Sequence, residues 1–206
     1  SNGLDENKSY KATKGQVIML SGSKDYQLSY SKKFVNSFYF VDQLFKNIKN
    51  DSIVVTDMGT SFTCTMQTYV KTREKQRLFT SSGLSSMGFG LPGSIGAYFA
   101  SKKSNIVCIS GDGGFMFNMQ ELQTVSYHKI PLKIFILNNS GYLTMKLMQN
   151  KHFKTYVGSN TKSGLSFPNF IKLAKVFNFD KFLIKNTNEL NKNLDSEELA
   201  YNVVND

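Results

Sequence analysis

The sequence contains only two cysteines, and no stretch of it stays apolar for 18 residues. Cys64 and Cys108 lie in apolar or Thr-rich stretches without the spacing of a disulfide framework or a metal site, which predicts buried thiols in a reducing cytoplasm. The lack of a long apolar run excludes a membrane-spanning helix, and residues 1–23 are too polar for a secretory signal. We therefore expect a cytoplasmic protein that does not associate with a membrane.

Arginine is equally scarce. The chain carries 25 Lys and Arg against 15 Asp and Glu, a net charge of +10, but only Arg73 and Arg77 are arginines. Proteins that read base edges and phosphates rely on the guanidinium fork of arginine, and no basic run here is longer than two residues. The charge predicts a lysine-rich solvated surface and no nucleic-acid partner, although a non-catalytic module that binds through its basic face remains an alternative.

The hydrophobic pattern predicts the fold class. Periodicity begins at Phe34, where apolar residues recur at steps of three and four and indicate an amphipathic helix. Apolar runs without polar alternation follow between helical segments, and they predict buried strands at 53–56, 78–80, 106–110, 132–137 and 182–184. The order is typical of an α/β fold, a mostly parallel sheet with helices on both faces, in which Ser196 caps a closing helix. Residues 1–31 are polar and predict a linker or the tail of an upstream domain, which leaves 32–206 as one domain.

Three of the predicted strands end in polar or glycine-rich clusters, at residues 57–61, 111–114 and 138–142. In an open parallel sheet, ligands bind at the carboxyl ends of the strands. Asp112 offers a carboxylate between glycines, where the backbone can approach a ligand closely, and the amides of Asn138 and Asn139 follow the next strand. Carboxylate, amide and peptide oxygens suit Mg²⁺ or Ca²⁺ rather than Zn²⁺, and Mg²⁺ keeps room for phosphate oxygens. These residues therefore predict a metal-bridged diphosphate.

The spacing of two clusters is more restrictive than either cluster alone. Residues 114–137 separate them, which is room for one helix and one strand. Gly111-Asp112-Gly113, followed at this distance by Asn138-Asn139, resembles the signature of thiamine diphosphate-dependent enzymes. Residues 82–93, SGLSSMGFGLPG, are similar to the acetolactate synthase segment that holds the aminopyrimidine ring, and residues 119–124 are similar to the helix after the metal turn. The resemblance covers residues 34–185 and implies the thiamine diphosphate-binding fold.

The resemblance implies roles for individual residues. Asp112, the side-chain oxygen of Asn139 and the main-chain carbonyl of Gly141 would hold Mg²⁺ against the diphosphate of the cofactor. Met87 would be the apolar wedge that bends the cofactor, and the carbonyl of Ser85, where many relatives have glycine, would accept a hydrogen bond from its 4′-amino group. The other implied cofactor-binding residues are Thr60, Ser61, Gly113 and Gly114 at the diphosphate, Tyr142 and Leu143 beside the thiazolium, and Gly111.

The resemblance also implies a missing part. In these enzymes a glutamate on a separate pyrimidine-binding domain, usually from a neighbouring subunit, activates the cofactor, so no catalytic residue is expected in this chain; Glu121 is expected to support the structure instead. We expect one domain of a longer acetolactate synthase-like 2-oxo acid decarboxylase or carboligase, a homodimer or tetramer that could also bind FAD. The fragment alone is expected to be inactive. Residues 141–144 and 158–168 look closer to acetolactate synthase-like proteins of surface-polysaccharide gene sets, which implies an unusual oxo acid or a sugar-derived carbonyl as substrate.

A nicotinamide-dependent oxidoreductase is the alternative enzyme class. Residues 88–93 match G-x-G-x-x-G, and Asp112 follows at the end of a strand, as a ribose-binding acid would. Residues 81–87, however, separate these glycines from any strand, whereas a dinucleotide fingerprint follows its strand directly. The sequence therefore favours thiamine diphosphate over NAD.

Overall fold

The computed structural model of the chain describes residues 16–21, 34–68, 75–101 and 105–195. Six parallel strands form one sheet in the order β3-β2-β4-β5-β1-β6. The strands are β1 Gln16–Ser21, β2 Ile53–Thr56, β3 Arg77–Phe79, β4 Ile106–Gly111, β5 Leu132–Asn138 and β6 Asp180–Ile184. The predicted strands and their parallel arrangement are confirmed, with bounds that differ by at most two residues. The predicted burial is wrong for β3 and β6, which lie at the two edges of the sheet and are largely exposed.

Helices cover both faces of this sheet. They are α1 Ser37–Asn47, α2 Thr60–Thr68, α3 Gly90–Ser101, α4 Asp112–Phe115, α5 Leu122–Tyr127, α6 Leu143–His152, α7 Phe170–Val176 and α8 Thr187–Asp195, with a 3₁₀ turn at Met119–Glu121. No helix in the described ranges is both long and apolar enough to cross a membrane.

The two faces of the sheet carry separate hydrophobic cores. Along β5, Phe135 packs in one core with residues of α1, such as Phe40, whereas Ile134 and Ile136 pack in the other with residues of α3, α5 and α7. Because successive strand residues point to opposite faces, a continuous apolar run is required wherever both faces are covered. This requirement explains why the inner strands β2, β4 and β5 are mostly apolar, whereas β3 and β6, at the edges of the sheet, carry exposed charged residues. Cys64 and Cys108 are buried free thiols in these cores, as predicted.

The expectation that residues 1–31 form a linker or the tail of an upstream domain does not hold for residues 16–21. They form β1, which lies between β5 and β6, with Gln16 in register with Lys133 and with Asp180. Ile18 and Leu20 are fully buried. The run is short and its polar flanks resemble a linker, while the strands that bury it lie far along the chain. The rest of the predicted linker and Ser196 lie outside the described residues.

Candidate functional site

The polar clusters at the ends of β2, β4 and β5 lie side by side, because these three strands are consecutive in the sheet. Asp57 follows β2, Asp112 follows β4, and Asn139 follows β5. All three side chains are buried. The sheet therefore brings together the residues that the sequence pattern singles out at strand ends.

Asp112 ties the ends of β4 and β5 to each other. Its Oδ2 accepts hydrogen bonds from the backbone N–H of Asn139 at 3.0 Å and of Gly141 at 3.3 Å, with the N–H of Ser140 between them at 2.5 Å. Its Oδ1 accepts from the N–H of Gly113 at 2.7 Å. Burial raises the pKa of Asp112 to about 6, and these amide hydrogen bonds oppose the rise. The carboxylate thus organises the 139–141 turn before any ligand binds.

Asn139, whose backbone N–H donates to this carboxylate, has a side-chain oxygen that no described residue satisfies. Its side chain is 7% exposed, and its Oδ1 is buried without a hydrogen-bond partner among the described residues. Most buried polar oxygens in folded proteins have a hydrogen-bond partner, and a bound ion or ligand is one way in which such an oxygen is satisfied. A hard amide oxygen, on a residue whose backbone is hydrogen-bonded to a carboxylate, is a ligand that suits Mg²⁺.

Tyr142 and two glycines form the most closely packed part of the site. A Cβ on Gly113 would lie 2.2 Å from Cε1 of the Tyr142 ring, so the ring rests directly on the backbone of the 111–114 turn. A Cβ on Gly141 would lie 2.4 Å from the carbonyl oxygen of Ser159, which also accepts a hydrogen bond from the N–H of Tyr142 at 3.0 Å. At both positions the neighbouring atoms lie too close to the backbone for any residue with a Cβ, so glycine is required. Leu143, half-buried, begins α6 directly after Tyr142.

The hydroxyl residues after β2 lie at the start of α2. Ser61 is fully buried, and its hydroxyl donates to the carbonyl of Met58 at 3.0 Å, whereas Thr60 is half-buried. A Cβ on Gly59 would lie 3.9 Å from Oγ1 of Thr144, so this cluster faces the first turn of α6. Thr60 and Ser61 therefore lie on the same edge of the sheet as Asp112.

The segment that carries Ser85 and Met87 is exposed. Ser85 has a φ of +53°, the left-handed region that glycine adopts without strain, so the backbone here is one that a glycine would fit better. Met87 is 38% exposed. Gly88, which follows it, has a φ of +87°, and a Cβ there would lie 2.7 Å from Cβ of Phe117. The end of this segment is thus packed against the chain that follows the 111–114 turn.

Asp57 is the residue whose part in the site the sequence reasoning missed. It is 0% exposed, and its carboxylate accepts hydrogen bonds from the N–H of Met58 at 2.7 Å, the N–H of Gly88 at 2.9 Å and the hydroxyl of Ser110 at 3.0 Å. The available signal was an acidic residue directly after a strand that is buried at every position. Nothing local in the sequence identifies its partners.

The glycines at 88–93 do not form a dinucleotide-binding turn. Residues 80–89 separate β3 from α3, so the glycines do not follow a strand directly. Asp112 is instead hydrogen-bonded to the turn after β5. The geometry disfavours the nicotinamide alternative.

Comparison with known proteins agrees with this geometry. The chain is 38% identical over 148 residues to a probable acetolactate synthase large subunit of Methanococcus aeolicus, a match over 72% of this chain and 24% of the relative. It is 40% identical over 127 residues to the acetolactate synthase isozyme 2 large subunit of Escherichia coli K12, which covers 62% of this chain and 23% of that protein. Acetolactate synthase 1 of Zea mays chloroplasts is 31% identical over 174 residues, 81% of this chain and 27% of the relative.

The chain therefore spans about a quarter of the length of these curated relatives. The model of the family "Thiamine pyrophosphate enzyme, C-terminal TPP binding domain" matches residues 57–200, a range that begins at Asp57 and includes the ends of β4 and β5. The chain belongs to this family of C-terminal thiamine pyrophosphate-binding domains and is acetolactate synthase-like.

Proposed function

We propose that this chain binds thiamine diphosphate and Mg²⁺ at the carboxyl ends of β2, β4 and β5. The observation that carries the proposal is the buried Oδ1 of Asn139, which has no hydrogen-bond partner among the described residues and belongs to a residue whose backbone N–H donates to Asp112. An unsatisfied buried polar group costs about 1–3 kcal/mol. A metal ion bound to this oxygen removes that cost, and membership in a thiamine pyrophosphate-binding family supports the choice of cofactor.

The metal would be held by oxygens alone. The side chains of Asp112 and Asn139 and the main-chain carbonyl of Gly141 supply one carboxylate, one amide and one peptide oxygen, a donor set typical of Mg²⁺. Diphosphate oxygens would complete the coordination sphere. Because both side chains are buried, the diphosphate would sit where the dielectric is low, and the ion would offset its negative charge.

The remaining predicted residues would orient the cofactor. Thr60 and Ser61 would meet the diphosphate at the start of α2, together with the backbone of Gly111, Gly113 and Gly114. Met87 would wedge against the cofactor from its exposed segment, and the carbonyl of Ser85 would accept a hydrogen bond from the aminopyrimidine. Tyr142, which is packed on Gly113, and Leu143 would border the thiazolium and exclude water from it.

When bound, the cofactor supplies the electron sink for breaking the bond between the carboxylate and C2 of a 2-oxo acid. We propose that the chain is the cofactor-binding domain of a cytoplasmic 2-oxo acid decarboxylase or carboligase. The activating glutamate would come from a pyrimidine-binding domain, contributed by a second subunit of a homodimer or tetramer. This chain alone would then bind the cofactor but not turn over substrate.

Calorimetric titration of the chain with thiamine diphosphate tests the proposal. We expect binding with Mg²⁺ and at least about tenfold weaker binding with excess chelator, because the diphosphate then lacks its counter-ion. Asn139→Ala should lower the magnesium-dependent affinity, whereas the neighbouring Asn138→Ala, a half-buried amide outside the proposed ligand set, should not. Equal affinity with and without Mg²⁺ would contradict the metal assignment, and magnesium-dependent turnover of pyruvate by this chain would contradict its inactivity.

A further inference from the structure

We propose that Asp57 is a positioning residue that couples the two halves of the cofactor site. One half is the 111–114 turn, and the other is the segment that ends in Met87. The inference rests on the proposed function, because it explains how the protein holds in place the two segments that would contact opposite ends of the cofactor. It concerns a residue that neither binds the metal nor reaches the surface.

The first half of the coupling is a hydrogen bond to the residue after Met87. The N–H of Gly88 donates to both oxygens of the Asp57 carboxylate, at 2.9 Å and 3.2 Å. The carboxylate is fully buried, while residues 82–87 are exposed throughout. The buried end of this exposed segment is therefore fixed by Asp57.

The second half is contact with the end of β4 and the turn that follows it. The hydroxyl of Ser110 donates to Oδ2 of Asp57 at 3.0 Å. A Cβ on Gly114 would lie 2.9 Å from Cγ of Asp57 and 3.0 Å from each carboxylate oxygen, so the carboxylate lies directly against the backbone of the turn. The same side chain thus touches both halves of the site.

The two halves also meet each other around this carboxylate. The carbonyl of Gly88 accepts a hydrogen bond from Nδ2 of Asn118 at 2.9 Å, and a Cβ on Gly88 would lie 3.5 Å from the carbonyl oxygen of Gly114. Asp57 therefore lies at the centre of a packed unit whose other members are mainly backbone groups. Such a unit transmits a displacement of one half to the other.

A local role at the end of β2 does not account for these contacts. For that role the carboxylate needs only its hydrogen bond from the next residue, Met58, at 2.7 Å. Both oxygens are also used by Gly88 and Ser110, residues 31 and 53 positions away in sequence. Without the carboxylate, the buried N–H of Gly88 would lack this acceptor, and the chain there would move to find another.

The consequence is specific for ligands that touch both halves. Thiamine diphosphate would contact the 111–114 turn and Met87 together, so it gains affinity when both are held in place. Inorganic pyrophosphate would contact only the turn. Loss of the Asp57 carboxylate should therefore weaken thiamine diphosphate much more than pyrophosphate, whereas a general loss of structure would weaken both alike.

Calorimetry with both ligands in Mg²⁺ tests this inference. Asp57→Ala should lower the affinity for thiamine diphosphate at least about tenfold and that for pyrophosphate less than about threefold. Asp57→Asn, which keeps one acceptor oxygen for Gly88, should restore most of the lost affinity. The control is Asp51→Ala, which removes a carboxylate that accepts from Asn105 before β2, and should change neither affinity. Equal losses for both ligands in Asp57→Ala would overturn the inference.

Hydrogen exchange of the unmodified chain gives a test that does not depend on how the variants fold. Pyrophosphate with Mg²⁺ should slow the exchange of amides in residues 82–90, although it cannot reach Met87, because the two halves move as one. Binding of pyrophosphate without slower exchange in residues 82–90 would overturn the coupling and leave the proposed function intact. Failure of the unmodified chain to bind either ligand would contradict both.

Discussion

The backbone N–H of Asn139 donates a hydrogen bond to Oδ2 of Asp112 over 3.0 Å, across the boundary between two neighbouring strands. The carboxylate accepts this bond, while the side-chain oxygen of Asn139 has no hydrogen-bond partner among the described residues. The protein therefore has a preformed set of donors in which the backbone of one proposed metal ligand orients the side chain of the other. Burial of the Asp112 carboxylate has an electrostatic cost, which can be measured through the pH dependence of protein stability.

Protonation of Asp112 should contribute to the stability of the ligand-free protein as the pH falls. Burial raises the pKa of Asp112 from 3.8 to about 6, so the folded state binds this proton more tightly than the unfolded chain does. The contribution of this group to the free energy of unfolding should rise by about 2 kcal/mol as the pH falls from about 7 to about 4, and it is complete only below the unfolded pKa of 3.8. Asp112→Asn replaces the titrating carboxyl by an amide and should lack this pH-dependent contribution to the free energy of unfolding. Urea unfolding at several pH values measures both proteins, and parallel profiles would contradict the prediction.

A methyl group at position 113 should disrupt the contact with Tyr142. Gly113→Ala places a Cβ 2.2 Å from the ring, so the ring or the turn must move, and we expect a destabilisation of about 1–3 kcal/mol. Gly111→Ala is the matched control, because a Cβ there meets nothing within 4 Å. In a double-mutant cycle, Tyr142→Ala should relieve part of the cost of Gly113→Ala. Additive losses in urea unfolding would show that the clash is relieved elsewhere.

Strand β1 should be needed for stability. Leu20 is buried in the core beneath α1, and Leu20→Ala should cost about 2–5 kcal/mol of unfolding free energy. Leu84→Ala removes the same atoms from a side chain that is 87% exposed and should cost less than about 0.5 kcal/mol. Chemical denaturation compares the two variants. If Leu20→Ala proved as mild as Leu84→Ala, the position of β1 inside the sheet would be wrong.

The sequence was sufficient to predict those strands of the sheet that form a continuous apolar run. The run at 132–137 is apolar at every position except Lys133, which predicts burial on both faces, and the structure confirms it. Strand β1 gives a weaker signal, because it is only six residues long, has polar flanks, and pairs with β5 and β6, which lie far away in sequence. Length and context, rather than composition, decide whether such a run is a strand.

The residues of the site also divide into those that local sequence predicts and those that it does not. Asp112 and Asn139 could be found because each ends a recognisable strand, and parallel strands bring their carboxyl ends to one edge. The role of Asp57 could not be predicted, because its hydrogen-bond partner Gly88 is 31 residues away in sequence and lies in a segment without regular secondary structure. Hydrogen bonds between distant segments are set by tertiary packing, which periodicity does not encode.

Ligand-induced thermal stabilisation should separate the two enzyme classes that the sequence left open. A ligand that binds only the folded state raises the unfolding temperature, and one present at about 100 times its dissociation constant adds about 2.7 kcal/mol. Thiamine diphosphate with Mg²⁺ should therefore raise the midpoint, whereas NAD, for which residues 88–93 offer no turn directly after a strand, should not. Asn139→Ala should reduce the magnesium-dependent part of the shift, because it removes the oxygen that has no other partner among the described residues. A shift with NAD that Asn139→Ala leaves unchanged would instead support the dinucleotide reading of the glycines.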